Sequence, residues 1–357
     1  MSLPKTYRAF RRTTGDLPRT ISPSTEQLPQ QLGPKEVLIK IHAVSLNFRD
    51  VAMLNGRYPI DVQERGIPCS DAAAEVAAVG AAVTQFAVGD HVSAIFDLSN
   101  LTGCEDEPPK ELGGELSGVL REYAVYEETQ LVSLPNHLSW EEAATIPCAG
   151  VTAWTALDNL KGPGGKKPRS VLLQGTGGVS MFALVLCVAA GVQPIITSSS
   201  DKKLADISRL GSSEVAIGTI NYKTFQNDQL ADEVRRLTGG RGVDVVVNNT
   251  GPASIPQDIS FLRERGGLVS LVGFLDGFSG EWQPAALMTL IMKFSRLKGI
   301  HVGSRLDFLE LNRFLEEKQV SLAPLVDRVF SFEESPAAFE YLYSGNHVGK
   351  VVIKVQD

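Results

Sequence analysis

The sequence predicts an α/β protein that combines a doubly wound parallel sheet with a smaller, partly closed β-barrel. From about residue 169 onward, short apolar runs alternate with helical stretches, which is the pattern of βαβ units. Before that point, short strand-like segments are separated by glycine turns, as in a small barrel or any antiparallel sheet. A chain of 357 residues is long enough for two domains of ordinary size.

The N-terminal part is predicted to be rich in strands. Segment 37–44 alternates apolar residues with Lys40 and His42, which indicates a strand with one buried face. Segment 75–92 contains valines spaced around glycine turns and is predicted to form further short strands. Segment 100–118 is polar and is predicted to be a loop insertion.

The remainder of the chain predicts alternating strands and helices, and Gly191 is expected to end the first helix. The predicted strands cover residues 170–174, 194–197, 215–217, 243–247, 268–272 and 297–300. The predicted helices run from the glycine-rich segment after residue 174 to residue 190, and over residues 201–210 and 229–238. An amphipathic helix at 306–318 and a strand at 349–354 follow.

Composition and charge exclude several classes of protein. The net charge of −7 argues against nucleic acid or an anionic membrane as the main partner. The scattered cysteines Cys69, Cys104, Cys148 and Cys187 form no C-x-x-C pair, which excludes a disulfide scaffold and a compact four-cysteine zinc lobe. The longest apolar run, 179–192, is too short to span a bilayer, and no secretory signal is recognised, so we expect a cytoplasmic protein.

A glycine-rich segment predicts a dinucleotide site. Gly175-Thr-Gly-Gly-Val-Ser180 follows an apolar strand and begins a helix, which is where a pyrophosphate binds. We therefore expect cofactor contacts at Gly175, Gly177, Gly178 and Val179. A plain turn is the alternative, because the third position of the G-x-G-x-x-G motif is Ser180.

The end of the second strand favours NADPH over NADH. Ser198 stands where an NAD site usually has an acidic residue that binds the ribose hydroxyls. Ser199 and Lys203 offer a hydroxyl and a positive charge to a 2′-phosphate, whereas Asp201 is predicted to be the N-cap of the next helix. The alternative is a solvated serine loop followed by ordinary surface lysines.

These motifs together resemble the medium-chain dehydrogenase/reductase superfamily. The resemblance covers about residues 30–355, and its most specific pieces are 75–92, 148–154, 175–180 and 347–352. The sequence is most similar to the zinc-independent branch of quinone oxidoreductases and related alcohol dehydrogenase-like proteins.

The resemblance implies a particular domain organisation. A GroES-like catalytic domain is expected over residues 1–148, a Rossmann dinucleotide-binding domain over 149–303, and a return to the catalytic domain over 304–357. It also implies an active site between the two domains and a homodimer formed through the last Rossmann strand.

The same resemblance implies that no catalytic zinc is bound. Asn47 stands where zinc-dependent members have cysteine, while Ser70 and Asp71 replace histidine and glutamate. Only Cys148 matches a ligand position, and a catalytic zinc needs about three protein ligands. The segment of the structural zinc lobe contains only Cys104.

Further cofactor contacts follow from the resemblance alone. They are expected at Thr152, Tyr222, Asn248, Gly273, Phe274, Val302, Gly303, His347 and Lys350. Asn248 has the alternative of capping the next helix, and Tyr222 that of an ordinary surface aromatic residue.

The predicted reaction is hydride transfer from NADPH to an activated small molecule, either an α,β-unsaturated carbonyl or a quinone. Asn47 is the predicted hydrogen-bond donor to the substrate oxygen, and Tyr58 the predicted proton donor. Asn47 has the alternative of bonding only backbone, and Tyr58 that of packing. The other functions left open are a metal-free alcohol dehydrogenase or carbonyl reductase, a carrier-linked enoyl reductase, and a non-catalytic NADPH-binding protein.

Overall fold

The computed structural model describes residues 3–162, 165–226 and 228–356, and the chain divides into two compact units. The terminal unit consists of Met1–Val151 and Gly303–Asp357, and the central unit is Thr152–Val302. The predicted domain ends at residues 1 and 357 lie outside the described residues. The catalytic and cofactor-binding roles of the two units stay predictions.

The strands and helices of the described residues are as follows. The strands are β1 (Thr6–Arg12), β2 (Ile21–Gln27), β3 (Glu36–Ser45), β4 (Asp71–Val79), β5 (His91–Ala94), β6 (Tyr123–Glu127), β7 (Leu131–Ser133), β8 (Ser170–Gln174), β9 (Gln193–Ser198), β10 (Gly218–Asn221), β11 (Val245–Asn248), β12 (Leu268–Leu271), β13 (Arg296–Gly299), β14 (Val326–Ser331) and β15 (Lys350–Lys354). The α-helices are α1 (Phe48–Leu54), α2 (Trp140–Ala143), α3 (Val151–Ala156), α4 (Gly178–Ala190), α5 (Asp201–Ser208), α6 (Asp228–Leu237), α7 (Ile255–Phe261), α8 (Met288–Met292), α9 (Arg305–Lys318) and α10 (Ser335–Tyr343).

The terminal unit is built on a mixed sheet with the order β14-β15-β3-β4-β5-β7, to which β6 adds by pairing with β3. Strand β3 pairs with β15, β4 and β6, so most of its side chains are buried. The prediction of a strand with one solvated face is therefore wrong. His42, expected on the polar face, is buried and stacks on Trp140 with ring centroids 4.3 Å apart.

The central unit confirms the predicted doubly wound sheet. Its strands are all parallel and lie in the order β10-β9-β8-β11-β12-β13. This is the strand order of the dinucleotide-binding fold. From β8 the chain first adds strands toward one edge of the sheet and then, from β11, toward the other edge, while all strands stay parallel. Ligands of such sheets bind outside the carboxyl ends of the strands at that point.

Helix α4 matches the prediction closely. It runs to Ala190 and ends at Gly191, whose left-handed φ of 68° is the conformation that glycine adopts without strain. Its side chains from Ser180 to Cys187 are buried. None of the helices in the described ranges combines the length and the hydrophobicity that a membrane span requires.

One predicted strand is misplaced. Residues 215–217 do not form a strand, and β10 begins at Gly218 instead. The hydroxyl of Ser212 accepts hydrogen bonds from the backbone N–H groups of Glu214 and Val215, at 3.3 and 3.0 Å. These bonds hold a local turn, and turns of this kind compete with strand pairing.

Candidate functional site

The glycine-rich segment of the central unit leaves its backbone open to a ligand. Gly175 follows β8 with a φ of 77°, and Gly177 is the N-cap residue of α4. A Cβ atom added at either glycine would meet no protein atom within 4 Å. Because no side chain caps α4, its first N–H groups and its positive dipole end face this space. The segment therefore fits a dinucleotide pyrophosphate.

A hydrogen-bond network supports this segment from the protein side. The Ser180 hydroxyl donates to the carbonyl oxygen of Gln174 over 2.7 Å, and Asn249 Nδ2 donates to Ser180 Oγ over 2.8 Å. The hydroxyl of Thr250 donates to Gln174 Oε1 over 3.0 Å. The third motif position is thus a serine that ties the loop to β8. Sequence reasoning noted Ser180 only as a departure from glycine and did not single out Gln174.

Asp258 lies at the centre of a second buried network. Gln174 Nε2 and Asn248 Nδ2 each donate to its carboxylate over 2.6 Å, and the Ser254 hydroxyl donates over 3.0 Å. Burial raises the pKa of Asp258 to about 7, against the opposing effect of these three hydrogen bonds. No sequence pattern pointed to Asp258, because its partners come from three separate segments.

Asn248 has a local structural role. It is fully buried, its Oδ1 accepts from the N–H of Gly251 over 2.8 Å, and its Nδ2 donates to the carbonyl of Gly251 over 3.1 Å. The alternative prediction that Asn248 caps the next helix is wrong, because the N-cap residue of α7 is Ser254 and Asn248 instead bonds within the loop before it. Its predicted cofactor contact stays a prediction.

The end of β9 carries the residues predicted to select NADPH. Ser198 is buried and its hydroxyl accepts from the N–H of Ser200, whereas Ser199 is half-buried. The prediction that Asp201 caps α5 is wrong, because Ser200 is the N-cap and accepts from the N–H of Lys203 over 3.3 Å. Asp201 is the first residue of the helix.

A neighbouring loop approaches the same strand end. The side-chain amide of Asn221 donates to Asp201 over 2.6 Å. The backbone N–H of Tyr222 donates to the carbonyl of Ser198 over 3.2 Å, and the Tyr222 side chain is 44% exposed. The structure therefore brings Tyr222 and the serines together at one edge of the sheet, and their contact with a cofactor stays a prediction.

Two of the predicted cofactor contacts, Thr152 and Val302, are joined through Thr155 within the central unit. The hydroxyl of Thr155 donates to the carbonyl of Val302 over 2.5 Å and to that of Thr152 over 3.2 Å. Val302 has a φ of 55°, which is strained for a β-branched residue. Strained backbone of this kind concentrates at functional sites.

The segment after β12 is closely packed. A Cβ atom at Gly273 would lie 2.6 Å from the carbonyl oxygen of Asn249, so only glycine fits there. Phe274 stacks on Phe278 with centroids 4.5 Å apart. Among the other predicted cofactor contacts, Gly303 and His347 belong to the terminal unit.

The terminal unit contains a buried lysine, Lys350, beside Asn47. Lys350 is 2% exposed, and its Nζ donates to Asn47 Oδ1 over 2.5 Å and to the carbonyl oxygen of Leu46 over 2.7 Å. The same Nζ lies 3.7 Å from Oδ2 of the fully buried Asp71. The cofactor contact predicted for Lys350 stays a prediction, while the structure gives its ammonium group these protein partners.

Asp71 links the other residues of this cluster. The hydroxyl of Ser70 donates to its Oδ1 over 2.6 Å, and the backbone N–H of Cys148 donates to its Oδ2 over 3.2 Å. Burial, reinforced by Asp71, raises the pKa of the Cys148 thiol, so the thiol stays protonated at neutral pH. We call Asn47, Ser70, Asp71, Cys148 and Lys350 the lysine cluster.

Tyr58, the predicted proton donor, lies beside a buried arginine. The Arg49 guanidinium is 5.3 Å from the centroid of the Tyr58 ring. It also forms a 2.6 Å ion pair with Glu111 and donates to the carbonyl of Leu112 over 2.8 Å. Burial raises the pKa of Tyr58, which keeps its hydroxyl protonated. Sequence reasoning missed Glu111, which connects the 100–118 insertion to this tyrosine.

Comparison with known proteins identifies the family. A family model described as the alcohol dehydrogenase GroES-like domain matches residues 33–136, and one described as a zinc-binding dehydrogenase matches residues 178–317. A zinc-type alcohol dehydrogenase-like protein of Schizosaccharomyces pombe is 38% identical over 94% of this chain and 95% of its own. The chain belongs to the medium-chain dehydrogenase/reductase superfamily.

Two further members of the superfamily support this conclusion. A solved structure, described as an alcohol dehydrogenase of Sinorhizobium meliloti 1021, has a TM-score of 0.86 and 31% identity, covering 99% of this chain and all of that one. A crotonyl-CoA reductase of Streptomyces avermitilis is 28% identical over 90% of this chain and 79% of its own. The predicted resemblance and the GroES-like fold are confirmed, and this medium-chain dehydrogenase/reductase is an oxidoreductase.

The residues of the lysine cluster do not fit the zinc that the family description implies. Zinc needs about three ligands among thiolate, imidazole and carboxylate groups. The cluster offers an amide, a hydroxyl, a protonated thiol and a carboxylate already paired with Lys350. Throughout the described ranges, no three His, Cys, Asp or Glu side chains are grouped so that they could hold a metal ion.

Proposed function

We propose that this oxidoreductase is a zinc-independent reductase that transfers hydride from NADPH to an α,β-unsaturated carbonyl or a quinone. The observation that carries the proposal is the Lys350 ammonium, which is hydrogen-bonded to Asn47 and paired with Asp71. Activated acceptors need less polarisation than simple alcohols or ketones, so they suit a site without a Lewis acid. A small-molecule substrate is expected, and no nucleic acid or membrane partner.

The chain's own residues have defined tasks in this proposal. NADPH supplies the hydride when it is bound, and the backbone at Gly175 and Gly177 holds its pyrophosphate. Ser199 and Lys203 would bind the 2′-phosphate. We expect the adenine end to lie near Tyr222.

Asn47 is the proposed donor to the substrate oxygen. Its Oδ1 is taken by Lys350, while its Nδ2 is buried and has no hydrogen-bond partner among the described residues. A buried donor without a partner is costly, and such groups are retained where a ligand can use them. Tyr58, kept protonated by burial, would then deliver a proton to the reduced product.

Steady-state kinetics test the proposal. Oxidation of NADPH is measured with a panel of enones, quinones, aldehydes and ketones, and NADH is compared with NADPH on the best acceptor. We expect turnover with enones or quinones and a clear preference for NADPH. A preference for NADH would contradict the cofactor assignment, and turnover confined to aldehydes or ketones would favour a metal-free alcohol dehydrogenase or carbonyl reductase.

The donor role of Asn47 is tested separately. Asn47→Asp keeps an oxygen for Lys350 but removes the N–H group, so we expect kcat to fall about 10²- to 10³-fold with little change in NADPH affinity. Unchanged turnover would remove Asn47 from the mechanism. NADPH binding without turnover on the whole panel, with the wild-type protein, would favour a non-catalytic NADPH-binding protein.

A thioester enoyl reductase is the second candidate function. The similarity to a crotonyl-CoA reductase over 90% of this chain favours it. Crotonyl-CoA, a crotonyl pantetheine thioester and free crotonic ester distinguish the possibilities. A kcat/KM at least 10-fold higher for the CoA form would establish a CoA-linked acceptor, and equal values would favour a free enone.

Association and location are also proposed rather than observed. Strand β13 is at the edge of the central sheet, and the nearby residues Ile291 and Met292 are 65% and 76% exposed. Unpaired edges and exposed apolar side chains favour pairing with a second copy, so we propose a homodimer through β13. The four cysteines are unbonded to one another, in keeping with the expected cytoplasmic location.

A further inference from the structure

A buried ion pair between Arg49 of helix α1 and Glu111 of the 100–118 insertion lies beside Tyr58. The two charged side chains are 5% and 2% exposed, and Arg49 Nη2 is 2.6 Å from Glu111 Oε2. Taking two charges out of water is costly, and replacing such a pair with apolar side chains is often neutral or stabilising. The pair is therefore better explained by a role in the site than by a gain in stability.

The Arg49 guanidinium is held from several sides. Its Nη1 donates to the carbonyl oxygen of Leu112 over 2.8 Å, and its Cζ lies 4.7 Å from the ring centroid of Phe96 and 5.3 Å from that of Tyr58. A Cβ atom added at Gly114 would lie 2.9 Å from Nη2, so the backbone of the insertion closes the space next to the ion pair. The guanidinium therefore has little freedom to move relative to the tyrosine ring.

The loop that carries Tyr58 is attached to the same insertion. The backbone N–H of Gln63 donates to the carbonyl oxygen of Gly114 over 2.9 Å, and the Ser117 hydroxyl donates to Gln63 Oε1 over 3.0 Å. The N–H of Gly114 donates in turn to the carbonyl oxygen of Glu111 over 3.3 Å. One short segment of the insertion thus holds both the cation and the tyrosine loop.

We propose that Arg49, fixed by Glu111, is a positioning residue that orients Tyr58 for proton transfer and stabilises the tyrosinate that the transfer leaves. The inference rests on the proposed function, in which Tyr58 is the proton donor. Reduction of an enone adds one hydride and one proton. The hydride comes from NADPH and forms a C–H bond at the β-carbon, while the electron pair of the C=C bond passes toward the carbonyl oxygen to give an enolate. The Tyr58 O–H bond then breaks, its proton forms a C–H bond at the α-carbon as the C=O bond is restored, and solvent returns a proton to the tyrosinate.

The groups that face Tyr58 have opposing effects on this proton. Burial raises the pKa of the Tyr58 hydroxyl, and the positive charge of Arg49, together with a hydrogen bond from it, lowers that pKa. Glu111 and Cys148 raise it by smaller amounts. Without the guanidinium, a buried tyrosine would hold its proton too tightly to act as an acid near neutral pH.

Two variants of the pair test the proposal without substrate. Arg49→Lys keeps the charge but loses the planar donor fork, whereas Arg49→Met/Glu111→Gln removes both charges, so that no buried carboxylate is left unpaired. The pKa of Tyr58 is measured by fluorine NMR of protein labelled with fluorotyrosine, the resonance being assigned by its absence in Tyr58→Phe. We expect this pKa to rise by about 1 or more in the double variant and to change less in Arg49→Lys.

A matched control removes a different ion pair of the terminal unit. Arg8→Met/Glu122→Gln eliminates the 2.8 Å pair that begins on β1, and the pKa of Tyr58 should not change. An unchanged Tyr58 pKa in Arg49→Met/Glu111→Gln would overturn the proposal, as would an equal rise in the control.

Kinetics with the best acceptor test the same residues during turnover. In Arg49→Met/Glu111→Gln we expect kcat to fall about 10-fold or more, the solvent deuterium isotope effect on kcat to increase, and the Kd for NADPH to stay unchanged. Arg49→Lys should recover part of kcat. Full turnover by Tyr58→Phe would overturn the donor role of Tyr58 and the proposal with it. Reduced turnover by Tyr58→Phe, together with full turnover by the double variant, would overturn the proposal alone.

Discussion

At the residue scale, the lysine cluster places the buried Lys350 ammonium group between Asn47 and Asp71. The identities of Asn47, Ser70 and Asp71 predicted a site without a catalytic zinc. Lys350 was predicted only as a cofactor contact, and its hydrogen bond to Asn47 could not be predicted, because the two residues are 303 positions apart and only the sheet brings them together. A buried charge of this kind is retained only when its partner is present.

The Lys350–Asp71 pair makes a thermodynamic prediction. Lys350→Met leaves the Asp71 carboxylate buried without its cation, so we expect a loss of about 3–5 kcal/mol in the free energy of unfolding. Lys350→Met/Asp71→Asn removes both charges and should recover most of that loss. Urea denaturation of the two single variants and the double variant measures the coupling. The exposed Arg209–Asp206 pair serves as control, where Asp206→Asn should cost less than about 1 kcal/mol. Additive single effects at Lys350 and Asp71 would contradict this reading.

The raised pKa of Asp258 leads us to predict that the free energy of unfolding depends on pH. Its pKa is raised to about 7 in the folded protein, so the native carboxyl holds a proton at pH values where the unfolded chain has released it. Its contribution to stability is complete below the unfolded pKa and is lost as the pH rises through about 7.

Relative to Asp258→Asn, the wild-type protein should therefore lose about 2–3 kcal/mol between pH 5 and pH 8. Urea denaturation at the two pH values provides the measurement. Asp276→Asn, at an exposed position, controls for the loss of one negative charge. A wild-type protein that gains stability over this interval, relative to Asp258→Asn, would reverse the assignment.

At the element scale, local patterns were sufficient where an element is defined by its own sequence. The glycine-rich segment, helix α4 and its end at Gly191 follow from neighbouring residues alone. Strand β3 was predicted with one solvated face because the alternation of Lys40 and His42 is a local signal. Its burial depends on β15 and on Trp140, which lie far along the chain.

The loop before α4 makes a prediction about affinity. Gly177→Ala adds a methyl group where no protein atom lies within 4 Å, and the residue has negative φ, so folding stability should change by less than about 1 kcal/mol. Because the added group enters the proposed pyrophosphate path, the Kd for NADPH should rise at least 10-fold. Isothermal titration calorimetry measures it.

Gly191→Ala is the matched control for that experiment. Gly191 has a φ of 68°, so alanine there should lower stability by about 1 kcal/mol. The NADPH affinity of this variant should be unchanged, because Gly191 is at the opposite end of α4. Equal NADPH affinity in wild type and Gly177→Ala would place the pyrophosphate elsewhere.

At the scale of the whole molecule, the alternation of strands and helices predicted the fold class, but the order of strands in the sheet came from non-local pairing. The residues from β8 to β13 do not by themselves predict that β8 lies between β9 and β11 in the sheet. The resemblance to a known family supplied that information. The association of two copies of the chain likewise depends on its surface, which the pattern of strands and helices does not predict.

The exposed edge of the central unit makes a prediction about assembly. Sedimentation velocity at micromolar concentration should show a species of two chains. Ile291→Lys/Met292→Lys places charge on the apolar surface next to β13 and should weaken association at least 10-fold. Val88→Lys, at a position 64% exposed in the terminal unit, should leave association unchanged. A wild-type monomer would contradict the proposed dimer.

The position of β15 also has a consequence for biosynthesis. This strand lies between β14 and β3, so the sheet of the terminal unit is not continuous until residues 350–354 have been made. The central unit ends at Val302, about 50 residues earlier, which corresponds to roughly 3–10 s of translation. During that interval the nascent chain carries Asp71 and Asn47 without Lys350. Lys350 is therefore the last residue of the lysine cluster to leave the ribosome.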